Sequence, residues 1–164
     1  MGRTAVYAGS FDPITSGHMD LVRRAAVLFD DVVLAIGTNQ SKKSLLSVDV
    51  RYAVLQECIA DMPNVSVATF EGLLIDYCRA IDADVILRGL RAVSDFEFEF
   101  QIGLANMDMA PEIETVFLLT EPKNIFVSSS LVKEIASNGG KVERYLPAPA
   151  LNAMMLAINE SSSG

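Results

Sequence analysis

Short, largely apolar runs alternate along this chain with longer stretches in which apolar residues return every three or four positions. Thr4-Ala5-Val6-Tyr7-Ala8, Asp31 to Gly37, Val65 to Phe70, Asp84-Val85-Ile86-Leu87 and Ile113 to Leu119 are of the first kind. They read as five buried strands. Leu21, Val22, Ala25, Leu28 and Phe29 have helical spacing, as do Leu55, Cys58, Ile59 and Met62 in a helix from about Val48 to Met62, ended by Pro63-Asn64. Further helices are predicted from Leu73 to Ile81, from Ser128 to about Ser137 and from Pro147 to Ile158. One stretch is ambiguous. Asp95 to Phe100 alternates with period two, yet Phe96, Phe100, Leu104 and Met107 keep helical spacing out to Met109, interrupted only by Gly103. The longer pattern predicts a helix. Phe98, Ile102, Ala105 and Met109 give it a second apolar side, which points to a subunit contact.

Strands alternating with helices predict an α/β fold, a doubly wound five-stranded parallel sheet of Rossmann-like form. No repeat or linker divides the chain, so residues 1–160 form one domain and residues 161–164 a polar tail. In such a sheet ligands bind at the carboxyl ends of the strands, where the strand order reverses. That switch point is expected between the first strand and the strand ending at Arg88.

The 164 residues are long enough for a full core, and no apolar run approaches the ~20 residues needed to span a membrane. The N-terminus enters a strand pattern at once, so no signal peptide is expected. Cys58 and Cys78 are isolated on helical patterns and read as free thiols suited to a reducing cytoplasm. A net charge of −8 argues against nucleic acid as a partner. An acidic protein that binds phosphates must gather its cations locally. Lys42, Lys43, Arg88, Arg91 and Lys133 fall where such an island would form.

The richest chemistry lies in Gly9-Ser10-Phe11-Asp12-Pro13-Ile14-Thr15-Ser16-Gly17-His18, a strand-to-helix turn. Gly9 would let the backbone leave the strand, Pro13 forbids early helix, and Gly17 would let a ligand approach a helix starting near His18. A helix start offers free N–H groups and a positive dipole end to anions. His18 is the only histidine, and both cysteines are distant, so a zinc site is unlikely on ligand count. Neither G-x-G-x-x-G nor a Walker motif occurs; Gly139-Gly140-Lys141 reads as a helix C-terminal turn. Lys42-Lys43 lies in a polar loop, and the residues alone favour a solvent-facing pair. Arg88-Gly89-Leu90-Arg91, placed just past a strand, fits phosphate forks or solvated arginines equally. Ser128-Ser129-Ser130 suits N-capping, which is compatible with binding a phosphate.

Thr15-x-Gly17-His18 and Val127-Ser128-Ser129-Ser130-Leu131-Val132-Lys133 together resemble the two signatures of the nucleotidyltransferase superfamily. With Gly9 to Pro13, Lys42, Arg88-Gly89-Leu90-Arg91, Asp95-Phe96-Glu97, Glu99 and Glu134, the chain is similar over nearly its whole length to the bacterial phosphopantetheine adenylyltransferases. The resemblance implies a nucleotidyltransferase fold and transfer of AMP from ATP to 4′-phosphopantetheine, giving dephospho-CoA and pyrophosphate. It implies Mg2+ carried by the ATP phosphates rather than by protein side chains, a homohexamer, and CoA as a feedback inhibitor. His18 would stabilise the transition state. Ser10, Lys42, Leu73, Leu74 and Arg88 would meet phosphopantetheine, with Lys42 also catalytic. Ser10, Phe11, His18, Gly89, Leu90, Arg91, Glu99, Asn124, Ile125, Phe126, Val127, Ser128, Ser129 and Ser130 would bind ATP. Three positions depart from the family pattern: Ser10 for Thr, Ala8 for Pro and Phe98 for Tyr. Transfer to another acceptor, as in nicotinamide mononucleotide adenylyltransferases or glycerol-phosphate cytidylyltransferases, and a non-catalytic nucleotide sensor are the alternatives. The tetrad and the acidic-aromatic helix disfavour the first, and His18 with Lys42 the second.

Overall fold

The computed structural model describes residues 2–38 and 43–162. Five parallel strands, β1 (Thr4–Gly9), β2 (Asp31–Gly37), β3 (Val65–Phe70), β4 (Val85–Leu90) and β5 (Glu114–Leu119), form one sheet in the order β3-β2-β1-β4-β5. The order reverses between β1 and β4, as the sequence predicts. Among the described residues four helices connect them, α1 (Ser16–Leu28), α2 (Val48–Cys58), α3 (Leu74–Ala80) and α4 (Val93–Met109), and two more, α5 (Ser129–Ser137) and α6 (Ala148–Ser162), follow β5.

The unbroken apolar runs conceal an alternation between two faces. Tyr7, Val32, Leu34, Ile36 and Leu87 point to a core shared with α1, α2, α5 and α6. Val6, Ala8, Ala35 and Ile86 point to a second core with Ile75 and Cys78 of α3 and with Ala110 and Ile113 beyond α4. Both faces are therefore covered along the central strands, and β1 and β2 are apolar on both sides over most of their length. Burial pushes the Cys58 and Cys78 thiols up to about 11, so both are protonated at neutral pH.

Several element ends differ from expectation. α2 stops at Cys58 because the chain tightens before Pro63: Ala60 N–H donates to Glu57 O and Met62 N–H to Ile59 O. α1 begins at Ser16, two residues early, since Thr15 caps it. α6 continues to Ser162 and takes in the first two residues of the expected polar tail, no Gly or Pro interrupting it. The ambiguous aromatic stretch is helical, as its longer period requires. Gly139 has φ 77° and closes α5, with Gly140 N–H donating to Ile135 O.

The largest difference concerns Arg88-Gly89-Leu90-Arg91. β4 runs on to Leu90, so Arg88 and Gly89 are strand residues and only Arg91 lies past its end. β1 pairs with β4 only as far as Leu87, but β5 carries the pairing on through Arg88↔Phe117, Gly89↔Leu118 and Leu90↔Leu119. The polar side chain at 88 hides the strand's continuation.

Candidate active site

The carboxyl ends of β1 and β4 open onto a cavity of about 330 Å³. Its walls include Ser10, Phe11, His18, Arg88, Gly89, Arg91, Glu99, Asn124, Val127, Ser128, Ser129 and Ser130, so two distant signatures and the arginine tetrad converge. Tyr7, Ala8, Gly9, Thr15, Gly17, Leu21, Asp95 and Thr120 complete the lining without having been singled out as ligands. Leu73, Leu74, Leu90, Ile125 and Phe126 are not among the lining residues. Leu74 packs against the α3 core, Leu73 is exposed beside it, and Ile125 and Phe126 are exposed on the turn after Pro122–Asn124. Lys42 lies outside the described residues.

The turn after β1 owes its shape to Phe11 rather than Gly9: Phe11 takes φ 46°, and its buried ring covers Gly9. Gly89 lies close under α1: a Cβ there would stand 2.4 Å from Leu21 Cδ1, so the Leu21 side chain would have to shift. A Cβ on Gly17 would make only ordinary contact with Asn124, so this glycine gives a ligand no special room.

His18 forms a capping box with Thr15. The His18 N–H donates to Thr15 Oγ1 at 3.3 Å, and the Thr15 N–H donates to His18 Nδ1 at 3.0 Å. A backbone N–H can only donate, so Nδ1 must be the unprotonated nitrogen. The neutral ring then carries its one proton on Nε2, at the edge away from Thr15. Burial, and after it the nearby Arg91 guanidinium, hold the imidazole down to about 4. At neutral pH His18 is an uncharged N–H donor in the cavity wall. Phe11 meets it edge-on, with ring centroids 5.4 Å apart.

The two tetrad arginines are already engaged by α4. Arg88 forks onto Glu99 through bonds of 2.6 and 2.7 Å, and this contact raises the Arg88 pKa. Arg91 meets Asp95 at 3.2 Å and Val127 O at 3.3 Å. Tyr7, buried beneath them, keeps its phenol proton well above the ordinary range because of burial. Lys133 is not a free cation of the island: its ammonium is held 2.8 Å from Asp12 Oδ2. Ser128 caps α5 by accepting from Leu131 N–H, and Ser129 Oγ donates to Pro13 O at 2.7 Å. Two helix starts, those of α1 and α5, therefore border one cavity with two guanidinium groups, an arrangement fitted to a polyanion.

Among the described residues no three His, Cys, Asp or Glu side chains converge as a metal cage. Asp95 and Glu99, the carboxylates lining the cavity, both face arginines. This donor set fits a magnesium ion that arrives on the ligand's phosphates. No helix among the described residues is long and apolar enough to cross a membrane.

A family model described as cytidylyltransferase-like matches residues 6–135. The chain is 48% identical over 145 residues to a phosphopantetheine adenylyltransferase of Clostridium perfringens, covering 88% of each chain. The identity is 45% over 159 residues to that of Caldanaerobacter subterraneus, covering 97% of this chain and 99% of the relative. With that of Heliobacterium modesticaldum it is 52% over 151 residues, covering 92% and 89%. In structure, the chain superposes with TM-score 0.73 on a Vibrio parahaemolyticus protein assigned as a nicotinate-nucleotide adenylyltransferase. That pair is 17% identical over 96% of this chain and 95% of the other, a likeness of fold alone.

Proposed function

The chain belongs to the phosphopantetheine adenylyltransferase family, nucleotidyltransferases that make dephospho-CoA in coenzyme A biosynthesis, and from that premise we propose how its residues divide the work. The reaction joins a phosphate oxygen of 4′-phosphopantetheine to the α-phosphorus of ATP. The bond to the β-phosphate breaks, and pyrophosphate leaves. The nucleophile is already about −1.5 to −2 charged at pH 7, so no side chain has to deprotonate it. What the protein must supply is alignment of two anions and stabilisation of charge growing at the α-phosphorus.

The observation that carries the reading is the Thr15-fixed tautomer of His18, an uncharged ring whose Nε2–H borders the cavity. We assign that N–H to an α-phosphate oxygen, where it stabilises the transition state. Ser10 and Lys42 hold the incoming phosphate, and Lys42 also offsets repulsion between the substrates. Arg88 meets the phosphopantetheine side, with Leu73 and Leu74 along its arm. Phe11, Gly89, Arg91, Glu99, Asn124 and Val127 to Ser130 bind ATP from the cavity wall. The Glu99–Arg88 pair keeps the guanidinium oriented before substrate arrives. Magnesium arriving with ATP would supply neutralisation of phosphate charge, while Arg88 and Arg91 supply the protein's own cations at the cavity.

The same reading makes the protein a cytoplasmic homohexamer subject to feedback by CoA. The exposed aromatic surface of α4 supports assembly, and CoA shares the pantetheine and adenylyl parts that the cavity would hold.

Pyrophosphate release from ATP and magnesium, with and without 4′-phosphopantetheine, tests the reading on wild type and His18→Ala. Release should require the acceptor. His18→Ala should lose roughly 3 kcal/mol or more of transition-state stabilisation, a hundredfold or more in kcat, with little change in binding. Unchanged turnover in the variant removes His18 from catalysis. No release with ATP still bound removes the reaction itself.

A further inference from the structure

One side chain of the cavity wall carries a polar group that the fold itself does not use. Tyr7 is the last residue of β1 to pair with β4, opposite Leu87, and beyond it the two strands part to open the cavity. The residue is only 6% exposed. Phe11 meets its ring edge-on, with centroids 5.5 Å apart, and His18 lies tilted against it at 6.2 Å. Among the described residues every side-chain nitrogen or oxygen sealed from solvent has a hydrogen-bond partner. The Tyr7 hydroxyl has none among them, so its oxygen is not sealed: it opens onto the cavity that the ring helps to line. It stands on the β4 side, 3.9 Å from where a Cβ on Gly89 would lie. The charges about it are those of Arg88, Arg91 and Glu99, and both Glu99 oxygens are taken by Arg88. Burial keeps the proton on the phenol against the pull of the two guanidiniums.

We propose that Tyr7 is a further substrate-binding residue, its Oη–H donating to a phosphate oxygen of the nucleotide in the cavity. The proposal rests on the reading of this cavity as the ATP site. A phenol that keeps its proton is a donor, and the groups beside it, the Nε2–H of His18 and the two guanidiniums, are donors as well. The acceptor that completes the set has to come with the ligand, and phosphate oxygens are acceptors on every side. Packed between Phe11 and His18, the ring holds its hydroxyl in place before the phosphate arrives, and it adds no further cation to a wall that already has two.

The test is Tyr7→Phe, which removes one oxygen and leaves the ring. ATP with magnesium is titrated calorimetrically into wild type and variant, KM is measured for both substrates, and thermal unfolding is followed alongside. The Kd for ATP should rise roughly tenfold or more, while KM for 4′-phosphopantetheine stays within about twofold. The melting temperature should be unchanged or higher, since no bond within the protein is lost. An unaltered ATP Kd overturns the proposal. So does a loss confined to 4′-phosphopantetheine, which would make the hydroxyl act through Arg88. A clear fall in melting temperature, or a variant that does not fold, would show that the hydroxyl serves the fold and overturns it too. Wild type that binds no ATP removes the underlying reading of the cavity. ATP bound equally by wild type and Tyr7→Phe removes only the present proposal.

Discussion

The turn from Gly9 to His18 and helix α4 border the same cavity and treat water in opposite ways. In the turn, Asp12 and Thr15 are buried polar residues, and each is tied to defined partners. Among the described residues no buried side-chain nitrogen or oxygen lacks a partner. In α4 the imbalance is reversed. Phe96, Phe98, Phe100, Leu104, Met107 and Met109 are all exposed, Phe98 by 63%. Phe96 and Phe100 stack on each other at the surface, ring centroids 5.5 Å apart. The turn is complete within one protomer, because a polar group out of water must be satisfied wherever it lies. An apolar strip this size gains nothing in water and everything by being covered. The same helix presents Glu99 and Asp95 to the arginines, so whatever covers its outer side also steadies the cavity wall.

Three experiments press on that contrast, the largest effect coming from the turn. His18 titrates near 4 in the fold against about 6.5 when unfolded. Its contribution to stability is therefore complete above pH 6.5 and is lost as the pH falls through that window toward 4. The loss should total about 3 kcal/mol. The difference in urea-derived stability between wild type and His18→Gln, followed from pH 7.5 to 4.5, measures it; a constant difference would mean the ring is freely solvated. Thr15→Ala should cost about 1 kcal/mol through the lost N-cap, read from the urea midpoint. It should also slow transfer by freeing the ring. The smallest effect on the protomer is expected from Phe98→Asp, within about 0.5 kcal/mol and without change in far-ultraviolet circular dichroism. Its particle mass by light scattering should nevertheless fall. An unaltered mass would leave the α4 strip without a role in assembly.

The strands and both signatures could be read directly because their information is local: largely apolar runs, a capping pattern, glycine and serine clusters. The helical character of α4 followed from extending the window beyond six residues, where the period of two gives way. The end of β4 could not be read, since Arg88 and Gly89 stay in the strand only through pairing with β5. Gly9 attracted attention that belonged to Phe11, because an aromatic residue at φ 46° leaves no sequence signature. Lys133 looked like one more phosphate ligand, and nothing in the local pattern singles out Arg51. Their true partners, the Asp12 carboxylate and the Ser10 carbonyl, are 121 and 41 positions away. Contacts of that span belong to the assembled fold, not to any window of residues.

The Asp12–Lys133 bridge also has a temporal meaning. A chain leaving the ribosome presents the Gly9–His18 turn long before Lys133 exists. Until α5 has been made and docked, Asp12 lacks the ammonium that balances it, and the serine wall of the cavity is missing. β1 and α1 are available early, yet the pocket they border cannot be finished from the N-terminal side. Chemistry is thereby withheld from unfinished chains: the last signature to be synthesised sets the first in place.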